Sequence, residues 1–95
     1  MIVTISFNAA PGKRDALVAK MHEILPDTRA FDGCNSVIIA ESNDTPGEIV
    51  LVEDWDDEAS YEAYKQWRRD SGTTVLGSDL VEAGSVTPKT FTALA

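Results

Sequence analysis

The residues best suited to chemistry lie in one stretch, where an acidic strand end runs into an aromatic helix. At about 100° per residue, the helix after Asp57 turns one face away from its charged side chains. That face carries Ser60, Ala63, Tyr64, Trp67 and Ser71. Flat apolar walls with a few polar groups suit a small aromatic ligand. The alternative is that Tyr64 and Trp67 only fill the core, and composition leaves both interpretations open.

Tyr64 is the first candidate for catalysis, because a phenol beside a substrate oxygen can donate a hydrogen bond or assist proton transfer. Arg68, at the edge of the same helix, could balance negative charge on a substrate, although a surface ion pair is the commoner role. Trp55 and Trp67 are candidate aromatic walls, and Ser60 is a candidate polar contact with substrate. A Trp at a strand end is also typical of plain packing.

Two polar residues outside this stretch are further candidates. Asn8 shares the strand face of Thr4 and Ser6; it is the second catalytic candidate, and it either points into a cavity or merely ends the strand. The single histidine, His22, lies about 100° from the centre of the apolar face of its helix and is predicted to be exposed. One His without a nucleophile constellation does not support a hydrolase triad. Cys34 is predicted to be a small buried residue and not a reactive thiol.

Composition narrows the class of protein. The 95 residues, 43% hydrophobic and 25% charged, are typical of one globular domain over residues 1–95. A net charge of -8 disfavours nucleic acid and anionic membranes as partners, since both bind basic patches. The acidic residues that flank the strand end are predicted to be solvated and not to hold a metal. They are Glu53, Asp54, Asp56, Asp57, Glu58 and Glu62.

The cysteine content and the first residues indicate a cellular setting. A lone cysteine cannot form an internal disulfide, and no charged leader or long apolar run precedes the strand that begins at Ile2. We therefore expect a cytoplasmic protein.

Periodicity predicts the first elements that must position these side chains. Residues 2–8 alternate apolar and polar types, which is typical of a strand. Pro11 suits a first helical turn, and apolar residues then recur at helical spacing as far as Thr28, with an interruption expected near Pro26. Two β-branched runs flank the turn signal at 43–47 and predict a hairpin.

The second half of the chain is predicted from its caps and breakers. Asp56 or Asp57 can cap a second helix that continues to about Arg69. Residues 73–83 fit either a short helix or an irregular loop, and residues 86–94 fit a last strand that Pro88 places at an edge. The order β-α-β-β-α-β predicts an α+β, ferredoxin-like fold with an antiparallel sheet.

The predicted sheet has apolar residues on both faces, as in the runs at 37–39 and 49–52. The helices can cover only one of these faces. The other would gain most by packing against the sheet of a second copy, so a homodimer is expected.

These motifs, taken together, resemble the antibiotic biosynthesis monooxygenase family over nearly the whole chain. The resemblance rests on Pro11-Gly12-Lys13, on Phe31-Asp32-Gly33-Cys34, and on Glu53-x-Trp55 followed by Asp57-Glu58-x-x-Tyr61. It implies a dimeric α+β barrel of two ferredoxin-like subunits. It also implies one of three kinds of protein: a cofactor-free oxygenase of quinols or phenols, a haem-degrading enzyme, or a relative without assigned activity.

The chain departs from both enzyme branches of that family. In members similar to quinol oxygenases, the residue nine positions after the strand-end Trp is His, and here it is Tyr64. The haem-degrading branch carries Trp there, a haem-ligating His ten positions further on, and an Asn in the first strand. The matching residues here are Tyr64, Thr74 and Ile5, and Thr74 cannot ligate haem iron.

Three hypotheses therefore remain. The first is a monooxygenase, without metal or other cofactor, that binds a small aromatic molecule and dioxygen; a substrate bound as its electron-rich anion reduces dioxygen directly. The second is a non-catalytic dimeric module that binds a small aromatic or signalling molecule. The third is another reaction on the same scaffold, such as an isomerisation or a decomposition.

Overall fold

The computed structural model describes residues 1–95 as one antiparallel sheet with two helices on one of its faces. The elements are β1 (Ile2–Asn8), α1 (Arg14–Ala30), β2 (Cys34–Glu41), β3 (Glu48–Trp55), α2 (Glu58–Ser71) and β4 (Thr87–Phe91). The strand order is β2-β3-β1-β4, with every neighbouring pair antiparallel. This is the ferredoxin-like arrangement, so the predicted α+β fold class is confirmed.

The two central strands, β1 and β3, form the floor of the core. Every second residue is buried, as the predicted alternation requires: Val3, Ile5 and Phe7 in β1, and Ile49, Leu51, Glu53 and Trp55 in β3. Ile5 stands opposite Leu51 in the register, so both strands turn their buried side chains to the same layer. Leu17, Met21 and Leu25 of α1 cover this layer.

Helix α1 runs through Pro26 to Ala30 without a break, which corrects the predicted interruption. A proline inside a helix removes one backbone N–H. The carbonyl that loses its partner belongs to the exposed His22, where water can replace the missing donor. Met21, Leu25 and Thr28 stay buried on both sides of the proline, so packing against the sheet holds the helix together.

Helix α2 is capped at both ends. The Asp57 carboxylate accepts a hydrogen bond from the backbone N–H of Ser60 at 2.8 Å, which lowers the pKa of that carboxyl. At the other end Gly72 has a φ of 68° and closes the helix with left-handed backbone, which glycine adopts without steric penalty. Neither helix has the length and apolar composition needed to cross a membrane.

The buried face of α2 is rotated from the predicted one. Tyr61 and Arg68 are buried, Tyr64 and Trp67 are half-buried, and Ala63 is exposed. Arg68 is drawn inward because four oxygen acceptors surround its guanidinium group. Two of those acceptors, the Ile24 carbonyl and Thr28 Oγ1, lie on α1, so a helical wheel of α2 does not reveal them.

The connection between α2 and β4 is irregular. Of the two structures predicted for residues 73–83, the irregular loop is therefore the correct one and the short helix is wrong. Its apolar residues nevertheless reach the core, with Val75 and Val81 buried and Leu80 half-buried. One bridge pairs Val81 with Ala9, just beyond β1. The last strand is shorter than predicted and lies at the sheet edge, where Pro88 interrupts few hydrogen bonds.

The opposite face of the sheet carries apolar side chains that nothing within the chain covers. Ile38 is 60% exposed and Phe91 is 48% exposed. Val50 and Val52 are half-buried on the same face, beside Thr4 and Ser6. The expected homodimer would cover this surface.

Candidate functional site

A cavity of about 270 Å³ lies between α2 and the sheet. Its floor is formed by the central strands, one wall by α1, the opposite wall by α2, and the mouth by the loop after α2. The lining residues are Ile5, Met21, Ile24, Leu25, Leu51, Glu53, Tyr61, Tyr64, Lys65, Arg68, Arg69, Thr73, Thr74, Val75 and Leu76. Most of the lining is apolar, so the few polar groups in it must orient whatever binds.

Glu53 is the polar group on the cavity floor. It is 3% exposed, and its neighbours across the sheet are Val3 on one side and Val37 on the other. The indole Nε1 of Trp55 donates a hydrogen bond to Glu53 Oε1 at 2.9 Å. This placement corrects the prediction that Glu53 is solvated like the other acidic residues of the segment.

The second carboxylate oxygen of Glu53 is open to the cavity. Oε2 has no protein hydrogen bond, yet every fully buried side-chain oxygen and nitrogen in the chain has a partner. Oε2 must therefore retain accessible surface, and the cavity that Glu53 lines is where it can do so. Burial raises the pKa of Glu53, while the Trp55 hydrogen bond and the charge of Arg68 oppose part of this rise. A carboxylate in this state is a stronger base than an exposed one.

Tyr61 faces the same cavity from α2. Its side chain is buried, and burial, followed by the nearby charges of Glu53 and Glu62, raises its pKa to about 12. The phenol therefore stays protonated at ordinary pH. Its hydroxyl has no protein hydrogen bond and is not fully enclosed, so it can donate one to a bound molecule.

Arg68 is a buried cation without a carboxylate partner. It is 5% exposed, and no ion pair reaches it. Its donors go to neutral oxygens: Tyr64 Oη at 2.8 Å, Thr28 Oγ1 at 2.8 Å, the Ile24 carbonyl at 2.9 Å and Thr73 Oγ1 at 3.1 Å. The guanidinium is thus held rigidly while its charge remains uncompensated by any short contact.

Tyr64 belongs to this network. Its hydroxyl accepts from Arg68 and lies 2.7 Å from Thr28 Oγ1, where either hydroxyl can be the donor. The half-buried ring lines the cavity. The structure therefore places Tyr64 at the cavity wall with its hydroxyl already engaged, and leaves Tyr61 with the more available phenol.

The two tryptophans lie behind the cavity wall. Trp55 is fully buried and packs its ring against Tyr61 and Tyr64 at centroid distances of 5.6 and 5.0 Å. Trp67 is half-buried, 6.1 Å from the Tyr64 ring, with the Arg68 guanidinium carbon 4.8 Å above it. Neither indole lines the cavity, so they support Tyr64, Arg68 and Glu53 from outside.

Ser60 and Asn8 are not brought to the cavity. Ser60 is half-buried in the first turn of α2, where it packs against Gly33. Asn8 donates its side-chain amide to Glu82 at 2.9 Å, and its backbone N–H donates to Ser85. It borders a shallow groove on the opposite face of the sheet.

The remaining polar candidates also lie elsewhere. His22 is exposed on α1, as predicted. Cys34 is half-buried, and burial raises the pKa of its thiol, which disfavours the reactive thiolate. No three His, Cys, Asp or Glu side chains lie close enough together to hold a metal ion.

Two cavity residues, Glu53 and Tyr61, were not candidates in the sequence analysis, although a signal for Glu53 was present. Ile49 and Leu51 fix the inward parity of β3, and the same period of two places Glu53 inward. The prediction missed this because Glu53 was grouped with the neighbouring acidic residues, all of which were expected to be solvated. Tyr61 is named only as part of a motif, because the helix phase derived from Tyr64 and Trp67 turned it to the side.

The whole fold recurs in crystal structures of other proteins. Protein PA3566 from Pseudomonas aeruginosa shares 20% identity, with a TM-score of 0.82 over 99% of this chain and 93% of that one. Rv0793 from Mycobacterium tuberculosis shares 28% identity, with a TM-score of 0.73 over 99% and 94%. An antibiotic biosynthesis monooxygenase matches at 19% identity with a TM-score of 0.80, and both chains are covered completely, at 100%.

Family membership rests on a sequence match and not on these folds alone. No curated protein matches the chain closely enough to count as a relative. The family model for antibiotic biosynthesis monooxygenase, however, matches residues 1–68, which include β1 to β3 and all but the last turn of α2. The match confirms the resemblance inferred from the motifs. Since it covers well over half of the sequence, the chain belongs to the antibiotic biosynthesis monooxygenase family.

Proposed function

We propose that this protein is a monooxygenase that needs no cofactor and oxidises a small quinol or phenol with dioxygen. The observation that carries the proposal is Glu53, a buried carboxylate with a raised pKa whose free oxygen faces an aromatic-walled cavity. A non-catalytic binding site has no need for a stronger base at its floor. A phenol oxygenase needs one to form the substrate anion.

Each polar or aromatic residue of the cavity has a separate role in the proposed reaction. Glu53 Oε2 takes the proton of a substrate hydroxyl, and the charge of Arg68 together with the Tyr61 O–H stabilises the resulting anion. The Tyr64 ring holds the substrate ring in the cavity. The apolar lining excludes water from the anion, so that dioxygen is its available reaction partner.

The oxidation balances without an external reductant. The anion gives one electron to dioxygen, and the superoxide and aryloxyl radical that result couple to form a peroxide at a ring carbon. Loss of water from the protonated peroxide leaves a carbonyl at that carbon. One oxygen atom enters the product and the other leaves as water, while the substrate supplies all the electrons and becomes a quinone.

Cavity size favours small substrates. Ligand pockets generally span about 300–1,000 Å³, and the cavity of about 270 Å³ lies just below that range. A substrate of one or two fused rings fits such a volume. Larger polycyclic phenols would require α2 or the loop after it to move.

The test is oxygen consumption by the purified protein with a panel of benzene and naphthalene quinols and phenols. We expect uptake above autoxidation, and we expect Glu53→Gln to lower kcat/KM by at least about 100-fold, as for loss of a general base. Tyr64→Phe should lower it by at least about tenfold through the weakened Arg68 network. Glu23→Gln, an exposed substitution on α1, is the matched control and should change nothing.

Two outcomes would contradict the proposal. Uptake that survives Glu53→Gln would remove the assigned base. Tight binding of naphthols without uptake above autoxidation would favour the non-catalytic binding module instead. Binding of the same compounds by Glu53→Gln, measured by calorimetry, separates loss of chemistry from loss of the site.

We also propose that the working form is a homodimer in which the open sheet faces of two copies pack together. Exposure of Ile38 at 60% and of Phe91 at 48%, beside the half-buried Val50 and Val52, supports this. A chain of 95 residues also has a small core of its own, so the added burial would stabilise it appreciably.

A further inference from the structure

The net charge of the cavity lining is positive, whereas the net charge of the protein as a whole is negative. The chain has 8 basic and 16 acidic residues and a net charge of -8. The cavity is lined by three of the basic residues, Lys65, Arg68 and Arg69, and by only one of the acidic ones, Glu53. A positive site within an acidic protein selects a negatively charged ligand.

Two of these cations lie on the α2 wall of the cavity, one half-buried and the other exposed. Lys65 and Arg69 are separated by four positions on α2 and therefore lie one above the other on the same face of the helix. Arg69 donates only to the neutral Gln66 Oε1, at 2.9 Å, and forms no ion pair. Lys65 pairs with Glu62 at 2.8 Å across an exposed helix surface, a weak contact that an ammonium group can exchange for a ligand.

The third cation, Arg68, is buried and adds to the positive potential inside the cavity. Four neutral oxygens hold its guanidinium, and no carboxylate forms an ion pair with it, so Glu53 interacts with its charge only at longer range. A buried cation without a directly paired carboxylate is unfavourable, and a bound anion would relieve part of that cost.

Glu53 at the floor fixes the direction of binding. Its carboxylate would repel a second carboxylate placed beside it, whereas it attracts a hydroxyl that can donate a proton. An aromatic molecule with a hydroxyl at one end and a negative group at the other therefore has one favourable orientation in this cavity.

We infer that the substrate is a small hydroxylated aromatic acid, with its hydroxyl at Glu53 and its carboxylate between Lys65 and Arg69. Arg offers a planar pair of donors that matches a carboxylate, and the adjacent ammonium adds charge without demanding a fixed geometry. This inference rests on the function proposed above and adds the substrate class. It places the oxidised position at the end of the molecule remote from the acid group.

The experiment compares a hydroxynaphthoate with its methyl ester by calorimetry under anaerobic conditions. The two probes have almost the same shape, but only the acid is charged. We expect the acid to bind the protein about tenfold more tightly than the ester, as for one well-placed charged contact. The double variant Lys65→Gln, Arg69→Gln should lose that preference while its affinity for the ester stays the same.

The control is Lys13→Gln, an exposed substitution before α1 that removes a positive charge far from the cavity. It should keep the full preference for the acid. Equal affinity for acid and ester, a preference that survives the double substitution, or failure to bind either probe would overturn the inference. Because no turnover is needed, a protein that prefers the acid but consumes no oxygen would uphold the charge selection and refute only the oxygenase chemistry.

Discussion

At the scale of single residues, the burial that makes Glu53 a stronger base also destabilises the folded protein. The pKa of this carboxyl rises above its ordinary value of 4.5 on folding, so the folded state holds the proton more tightly than the unfolded state. As pH rises from 4.5 to the folded pKa, the unfolded state loses the proton first, and the free energy of unfolding falls. Above the folded pKa the loss is complete and constant.

Glu53→Gln should therefore stabilise the protein at neutral pH while it lowers kcat/KM. The amide oxygen can still accept the hydrogen bond from Trp55, and the buried charge is gone. Each pKa unit of the shift corresponds to about 1.4 kcal/mol, or roughly 6–11 °C in Tm for a domain of this size. Thermal unfolding across a pH series checks this.

The pH dependence of the Tm difference distinguishes an effect of ionisation from an effect of packing. The difference in Tm between Glu53→Gln and the wild type should vanish below pH 4.5, where both side chains are neutral. A variant that is less stable than the wild type at pH 7, or equally displaced at every pH, would show that Glu53 stabilises the fold through its contacts and not through its ionisation.

Residue types in the site were partly predictable. The sequence predicts that Tyr64 and Arg68 lie on the same side of α2, where both line the cavity, because helical spacing is regular over one turn. It does not reveal that Arg68 is buried, since the carbonyl of Ile24 and the hydroxyl of Thr28 reach it from α1. Asn8 has the parity of a surface strand residue, and its amide is taken by Glu82 in a loop that periodicity does not position.

At the scale of elements, the start of α2 is pressed against the turn before β2. Gly33 has a φ of 92°, and a Cβ atom added to it would lie 2.4 Å from both Cβ and Oγ of Ser60. Only glycine fits both the backbone conformation and the contact. This approach fixes the first turn of α2 against the turn before β2.

Gly33→Ala should destabilise the fold by more than the backbone strain alone. Left-handed backbone costs a residue with a Cβ atom about 1–2 kcal/mol, and the clash with Ser60 adds to it. Gly12→Ala is the matched control, since Gly12 has a φ of 74° and no atom within 4 Å of the added Cβ. Urea unfolding should show a clearly larger loss for Gly33→Ala.

A double substitution isolates the contact itself. Ser60→Gly removes the clashing atoms, so it should cost less in the Gly33→Ala background than in the wild type, with a coupling free energy of about 1 kcal/mol or more. Strict additivity of the two substitutions would mean that α2 does not depend on this approach.

The elements themselves were mostly predictable, and the exceptions have a common cause. The strands and α1 follow from a period of two or of 3.6, because each has one buried face. Pro26 does not end α1, and α2 is rotated, because contacts from distant segments outweigh local preference at these places. The loop after α2 has no period, and its course is fixed by the bridge at Val81 and by backbone hydrogen bonds of Leu80 and Glu82 to residues at the end of β1.

At the scale of the whole molecule, the open sheet face should control the oligomeric state. We expect the wild type to elute as a dimer at micromolar concentration, and Ile38→Glu to shift it to a monomer by placing a charge on the exposed apolar face that the proposed dimer would bury. Light scattering coupled to size exclusion measures both. Ala19→Glu, on the exposed side of α1, is the control and should remain dimeric.

A wild type that stays monomeric at these concentrations would remove the sheet-to-sheet dimer. A dimer that persists in Ile38→Glu would move the interface to another surface. The cavity lies on the helix side of the sheet, so either result leaves the site assignments untouched.

The hydrogen bond between Trp55 and Glu53 gives the molecule an optical probe of its own. One indole is fully buried and hydrogen-bonded to a carboxylate that titrates, and the only other indole, Trp67, is half-buried and makes no hydrogen bond to that carboxylate. The wavelength at which an indole emits depends on the local electric field. Protonation of Glu53 should therefore shift the emission wavelength of Trp55. In a Trp67→Phe background, the charge state of Glu53 can be followed directly, with no substrate and no label.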